Sequence, residues 1–302
     1  MALPPPPPVP PAAVLDAFGA RGRPEPLPGG QGTSVRVGDL VFKPTAAGPA
    51  EAEWFAALHE RLAGHPGFRV PAPARAPDGR ALVAGWTAAA HLPGEPGPRG
   101  RWAEVIRAGR ALHEALREEP APAFLAARTD PWALADRVAW GEIEHGVRPE
   151  LAASFARLRA TGAGEPGRPP TTPSQLVHGD LTGNVLFTPG RPPTVIDLSP
   201  YWRPPAFAEA VVAVDGLLWH GLPHPPPDPD GQEPPDRAYF LLRALLFRLV
   251  ALDAGHDPGP LPPGEAERLD RVTRLLTGAP GRRPATGPPT ARPDRAGSDS
   301  RP

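Results

Sequence analysis

Residues 176–199, LVHGDLTGNVLFTPGRPPTVIDLS, constrain this chain more than any other stretch. Apolar Leu176 and Val177 lead into the polar turn His178-Gly179-Asp180. Asn184 then precedes Val185-Leu186-Phe187, and a Pro-rich turn separates these from a second apolar run, Thr194-Val195-Ile196, that ends on Asp197. Apolar runs punctuated in this way predict two short strands joined by a turn. Asp180 and Asn184 before the first strand and Asp197 after the second would then gather at one end of a hairpin. Phosphoryl transfer uses such a trio: one carboxylate orients an acceptor hydroxyl and takes its proton, while an amide oxygen and a second carboxylate hold Mg²⁺ against nucleotide phosphates. Each residue alone has an ordinary explanation as a cap or turn residue. Four residue types at fixed offsets are much harder to obtain by chance.

HGDLTGN followed by VIDLS resembles the catalytic and metal-binding loops of the aminoglycoside phosphotransferase and choline kinase group, small-molecule kinases with the protein-kinase fold. Within that group it most resembles an actinobacterial branch. The resemblance implies a two-lobed α+β architecture, with a small β-rich N-lobe and a larger helical C-lobe. It implies ATP or GTP with Mg²⁺ as cofactor, and a hydroxyl of a small molecule as acceptor of the γ-phosphate. By it, Asp180 is the catalytic base, Asn184 and Asp197 are the metal ligands, and His178 holds the loop by hydrogen bonds. One departure stands out: the family spacing from base to Asn is five residues, and here it is four. Gly183 is expected to let the shortened loop bring Asn184 to the same place. The short loop is also the feature that favours the alternative, a catalytically silent, pseudokinase-like nucleotide-binding protein with a regulatory or scaffolding role.

Composition adds a second line of argument. The chain is rich in Ala, Gly, Pro and Arg, as a GC-rich coding bias would make it, and Lys43 is its only lysine and Asn184 its only asparagine. Both fall where the kinase template wants them. Arg does not freely replace a phosphate-contacting Lys, because a planar fork and a compact ammonium suit different geometries. Upstream of Lys43, Leu27 to Pro44 reads as loop, strand, turn and strand. In the template this hairpin covers the nucleotide, and the amides near Gly30 and Gly32 approach its phosphates. A helix over Pro49–Ala63 carries Glu51 on its apolar stripe with Trp54, Phe55 and Leu58, while Glu53 points elsewhere. Glu51 is either the partner of Lys43 implied by the template or a first-turn acid favoured by the helix dipole.

A net charge of −1 over 302 residues argues against a dedicated nucleic-acid binder. The absence of cysteine excludes disulfides and thiolate chemistry and fits a cytoplasmic protein. No apolar run has the length of a membrane span, so no membrane partner is expected. Residues 1–11 read as a disordered polyproline leader, either a dock for a proline-recognising partner or a floppy extension. Residues 12–85 are expected to form the N-lobe, 86–276 the C-lobe, and 277–302 a disordered tail.

Further along, Ala81–Ala84 reads as a strand and residues 85–88 as the interlobe hinge, with Trp86 either lining the adenine pocket or sitting in the core. Arg101–Glu119 is strongly helical, and Asp130-Pro131 opens another helix as N-cap and first position. Glu142 and Glu144 either face a cationic substrate or belong to a solvated face. After Asp197, residues 199–204 read as an activation-like loop in which Arg203 contacts phosphate or a substrate acid and Tyr201 and Trp202 stack on substrate. Asp215, on an apolar helix over residues 205–219, needs buried donors, and amides of the His178–Asp180 loop are the expected source. Helices over 236–253 and 265–276 close the chain. The acceptor lies beyond what these residues specify.

Overall fold

The computed structural model describes residues 8–28, 32–164, 172–233 and 236–278. After a short helix α1 (Ala12–Ala17), strands β1 (Glu25–Pro26), β2 (Val35–Val37), β3 (Leu40–Pro44) and β4 (Trp86–Ala90) form an antiparallel sheet in the order β1-β2-β3-β4. Helix α2 (Pro49–Leu62) lies between β3 and β4 in the chain. Alternation sets the inner face of β2 and β3, because Val35, Val37 and Phe42 are buried while Arg36 and Val41 are not. The turn between these strands requires glycine: Gly38 has φ +61°, and a Cβ there would stand 2.9 Å from the Arg21 carbonyl. A small core of Val14, Phe18, Val35, Val37, Phe42 and Trp86 fills this region.

The expected strand at residues 81–84 is displaced. Ala84 and Gly85 turn the chain at positive φ, and the strand begins only at Trp86, pairing in register from Pro44↔Trp86 to Leu40↔Ala90. The sheet therefore takes in Trp86–Ala90, and the boundary expected at residue 85 moves beyond Ala90. The residues expected as the hinge, 85–88, instead fall in the turn at Gly85 and in β4, which precedes β5 (Glu95–Pro96).

The remainder is mostly helical: α3 (Trp102–Ala115), α4 (Phe124–Ala127), α5 (Pro131–Ala139) and α6 (Pro149–Arg159), then α7 (Pro205–Trp219), α8 (Arg237–Gly255) and α9 (Glu265–Thr277). Asp130 caps α5, its carboxylate accepting from the amides of Trp132 and Ala133, with Pro131 at the first position. Helices α7 and α8 are buried along most of their length, and with α5, α6 and α9 they enclose the largest core cluster. Between α6 and α7 come β6 (Gln175–His178), β7 (Val185–Phe187), β8 (Thr194–Val195) and β9 (Pro200–Arg203). β7 pairs with β5 and β8, while β6 pairs with β9. A second core of Leu58, Phe68, Val105, Leu112, Leu181 and Val185 joins α2 and α3 to these strands. The tail expected from residue 277 yields its first residue to α9, which runs through Thr277. Gly30 and most of the Pro-rich leader lie outside the described residues. Among the described residues no helix is long and apolar enough to cross a membrane.

Candidate active site

The β6–β9 ladder fixes the loop that carries Asp180. Its last pair is His178↔Pro200, and Gly179 N–H donates to the Ser199 carbonyl at 2.9 Å. His178 is fully buried. Its Nδ1 accepts from the amides of Asp180 (3.2 Å) and Ser199 (3.3 Å), so the ring proton sits on Nε2 and is donated to the Ile196 carbonyl at 3.1 Å. One imidazole thus ties the turn before β7 to the segment after β8. Burial lowers the His178 pKa and favours the neutral ring that this pattern needs. Behind it, His113 of α3 accepts the His178 amide proton on Nε2 at 3.1 Å, and burial pushes its pKa down to about 3. No local pattern in the sequence pairs His113 with His178.

The short loop closes through backbone and side chain together. Gly183 takes φ +83°, its N–H donating to the Gly97 carbonyl at 3.0 Å. The Asn184 amide group then folds back, with Nδ2 donating to the Asp180 carbonyl at 2.7 Å and lying 3.3 Å from Asp180 Oδ2. With Nδ2 engaged, Oδ1 is the atom left to accept from outside. Asp197 follows β8 with φ +52°, a left-handed conformation for a non-glycine residue. It forms an ion pair with Lys43, 154 residues away on β3. Asp197 and Lys43 remain about a third exposed, at 30% and 36%.

Asp180 itself is 42% exposed, yet it is anchored from within. Arg248 of α8 forks onto Asp215, Nε to Oδ1 and Nη2 to Oδ2, both at 2.7 Å, and the same Nη2 reaches Asp180 Oδ1 at 2.7 Å. Arg248 and Asp215 are 5% and 2% exposed. Burial works against the guanidinium charge, but the two carboxylates outweigh it and raise the Arg248 pKa. Burial also pushes the Asp215 carboxyl up, with Arg248 opposing it. The donors to Asp215 are therefore a side chain from α8, not the loop amides expected. Sequence reading misses Arg248, although an unpaired-looking Arg on a helix as apolar as FLLRALLFRLVALDAG is a signal that a buried acid must answer it.

Other expected residues take these places. Lys43 pairs with Asp197, and Glu51 has no hydrogen-bond or ion-pair partner among the described residues. Glu53 is the engaged acid of α2, accepting from Arg75 at 2.7 Å and from the Ala81 amide at 2.8 Å. Trp86 is 7% exposed and packs in the sheet's own core. Arg203 is committed to Asp136 and Glu142 at 2.6 and 2.7 Å, so it braces α5, and Glu142 is its exposed partner. Glu144 is paired with Arg159. Residues 200–203 form β9 in place of a free loop, and Tyr201 is buried against Phe247, while Trp202 is exposed. Gly32, at φ +69°, stands in open space.

The donor set suits a hard divalent cation. Asn184 and Asp197 offer oxygens at a partly exposed site, and Mg²⁺ characteristically takes one or two protein oxygens with the rest from phosphate and water. Among the described residues no group of three or more His, Cys, Asp or Glu is arranged to enclose an ion.

No curated protein sequence matches the chain at a significant level. Residues 25–215 match the family model described as the phosphotransferase enzyme family. Among solved structures, the microcompartment-associated aminopropanol kinase aligns with a TM-score of 0.58 at 17% identity, covering 88% of this chain and 94% of its own. Amicoumacin kinase, in complex with AMP-PNP, Ca²⁺ and Ami, aligns at 0.55 and 14%, covering 85% and 90%. An aminoglycoside phosphotransferase from Alicyclobacillus acidocaldarius aligns at 0.52 and 16%, covering 89% and 93%. These structures share the two-part, protein-kinase-like α+β fold. With the family model spanning more than half of its length, the chain belongs to the phosphotransferase enzyme family.

Proposed function

We propose that the protein is a Mg²⁺-dependent kinase that moves the γ-phosphate of ATP or GTP to a hydroxyl of a small molecule. The observation that carries this reading is the convergence of Asp180, Asn184, Asp197 and Lys43 at one end of the β7–β8 hairpin, where Lys43 reaches from β3 to Asp197 and Asn184 closes onto Asp180. Asp180 is the base. Its Oδ1 is held by Arg248, and its Oδ2, 3.3 Å from Asn184 Nδ2, accepts the acceptor's proton as the oxygen–phosphorus bond forms and the bond to the leaving nucleoside diphosphate breaks. Asn184 Oδ1 and Asp197 would hold the metal, which neutralises charge developing on the phosphates. Lys43 leaves Asp197 to contact phosphate when nucleotide enters. His178 holds the Asp180 turn in place, and the residues near Gly32 cover the nucleotide.

Solved neighbours support the nucleotide and metal: amicoumacin kinase holds AMP-PNP and Ca²⁺, and spectinomycin phosphotransferase holds ADP with its antibiotic. The four-residue spacing favours a silent nucleotide-binding protein only if Asn184 cannot reach the site, and the contact of Asn184 with Asp180 speaks for the active reading. The decisive experiment is thermal unfolding with and without Mg²⁺-ATP and Mg²⁺-GTP. Ligand at about a hundred times its dissociation constant stabilises by roughly 2.7 kcal/mol. The wild type should show this Mg²⁺-dependent shift, and Lys43→Ala and Asp197→Ala should lose it. Asp180→Ala should keep it while losing turnover. Absence of any shift in the wild type would sink the reading.

A further inference from the structure

Against Arg248, whose Nη2 donates to Asp180 Oδ1 at 2.7 Å, lies a cleft of about 330 Å³ bounded by the start of α5, the end of α7 and one face of α8. Its α8 face is Arg248, Ala251, Leu252 and Gly255, a helical stripe whose small members, Ala251 and Gly255, leave the room. Its walls are Trp132 and Trp219, 38% and 43% exposed and among the few large apolar side chains left open among the described residues. Both indoles stand within 6 Å of the Arg248 guanidinium carbon, at 5.8 and 5.6 Å. The Trp219 ring is pinned by its Nε1–H, which donates to Glu265 at 3.1 Å. The volume is that of a small-molecule site, and the floor is one guanidinium from the carboxylate that would take a proton.

The polar groups of the lining decide what the cleft can hold. Its single carboxylate, Asp130, is spent: Oδ1 accepts from the Trp132 and Ala133 amides, and both oxygens accept from Arg128. Arg248 already occupies the position beside both indole faces that a cationic ligand would seek, so a cation between the rings would meet a like charge. Apart from Asp180, where the hydroxyl would sit, a polycation finds no free acid in that lining. Two exposed indoles instead suit a flat ring laid against them. His256, whose Nδ1 lies 2.9 Å from the Leu252 carbonyl, keeps Nε2 for a polar substituent.

We propose that the cleft between Trp132 and Trp219 is the acceptor site and takes an uncharged alcohol built on a flat ring, its ring against the indoles and its hydroxyl at Asp180. This assignment rests on the phosphotransferase reading above. The acceptor oxygen bonds to the γ-phosphorus, the bridging bond to the nucleoside diphosphate breaks, and the hydroxyl proton passes to Asp180.

The test measures indole fluorescence and phosphoryl transfer from Mg²⁺-ATP with four probes: 2-phenylethanol, uridine, choline and kanamycin. The flat-ring probes should quench fluorescence and accept phosphate, with 2-phenylethanol and uridine separating a plain aromatic alcohol from a nucleoside. Trp132→Ala and Trp219→Ala should each raise the acceptor KM roughly tenfold, with a smaller change in kcat, as loss of a stacking partner predicts. Trp132→Phe should restore most of the affinity, which a merely structural role for the indole would not require. Preference for choline or kanamycin overturns the proposal, as does failure of both flat-ring probes to bind or react, while a retained Mg²⁺-ATP thermal shift keeps the phosphotransferase reading intact. Absence of that shift in the wild type overturns both.

Discussion

Two ion pairs meet at this site, and they are built in opposite ways. Lys43 and Asp197 are about a third exposed, come from elements far apart in sequence, and hold each other alone. Arg248 and Asp215 are almost wholly buried, bidentate, and extended by a third contact to Asp180. An exposed pair contributes about 0–1 kcal/mol, whereas removing one partner of a buried pair costs about 3–5 kcal/mol because a charge is left uncompensated. The half that, on the proposed reading, would exchange partners with a charged ligand is loosely closed. The half that would hold the base in one place is locked from beneath.

Arg248→Ala should break the comparison most severely. Denaturant unfolding should show a loss of about 3–5 kcal/mol, since Asp215 would be buried without its counter-charge. The double variant Arg248→Met with Asp215→Leu sharpens the point, because replacing both partners by apolar groups of similar size is often close to neutral. Stability should return while turnover stays low, separating the structural ion pair from the hold on Asp180. Recovery of turnover along with stability would show that Asp180 does not need Arg248.

The loop above the buried pair should be nearly as intolerant. A Cβ on Gly179 would stand 2.4 Å from the Tyr201 ring, which is 6% exposed and packed edge-on against Phe247. Gly179→Ala should therefore cost about 1–3 kcal/mol by overpacking, and its turnover should fall because Asp180 is the next residue. The histidines behind the loop give a pH test. His113 and His178 are held neutral with lowered pKa values, so below about pH 6.5 the unfolded chain binds protons that the folded chain refuses. Stability should drop as pH falls from about 6.5 toward 3 through His113, by up to ~1.4 kcal/mol per pH unit, and His178 should add to the loss below about pH 6.5. A melting temperature that stays level across that window in the wild type would contradict the neutral, hydrogen-bonded pair.

How much of this could be read in the sequence follows the same division. The loosely closed half was legible, because Lys43, Asn184 and Asp197 are rare or patterned residues in a composition that offers few others. The locked half was not. Asp215 stood out as a buried acid, but Arg248 is one of many arginines and lies 68 residues from Asp180, on a helix whose burial only the packing of α5 and α7 reveals. The strand at β4 was misplaced because Trp86–Ala90, WTAAA, carries little β-propensity, and its pairing with β3 decides its state. Glu51 sits on an apolar stripe as periodicity requires, yet the acid that finds partners is Glu53, because Arg75 and the Ala81 amide come from a loop whose course no local pattern encodes.

The smallest expected effect on stability falls on the residue most telling for function. Lys43→Ala should change unfolding free energy by no more than about 1 kcal/mol, since the pair it breaks is part-exposed and Asp197 can rehydrate. The same variant should lose the nucleotide-dependent stabilisation of about 2.7 kcal/mol expected for the wild type at a hundredfold excess over the dissociation constant. A double-mutant cycle with Asp197→Ala separates the two roles. Coupling between the positions should be weak without nucleotide and strong with Mg²⁺-ATP, because the ligand makes both side chains parts of one charged assembly. Strong coupling in the free protein would mean that the Lys43–Asp197 pair is structural, and that the site has two locked halves instead of one.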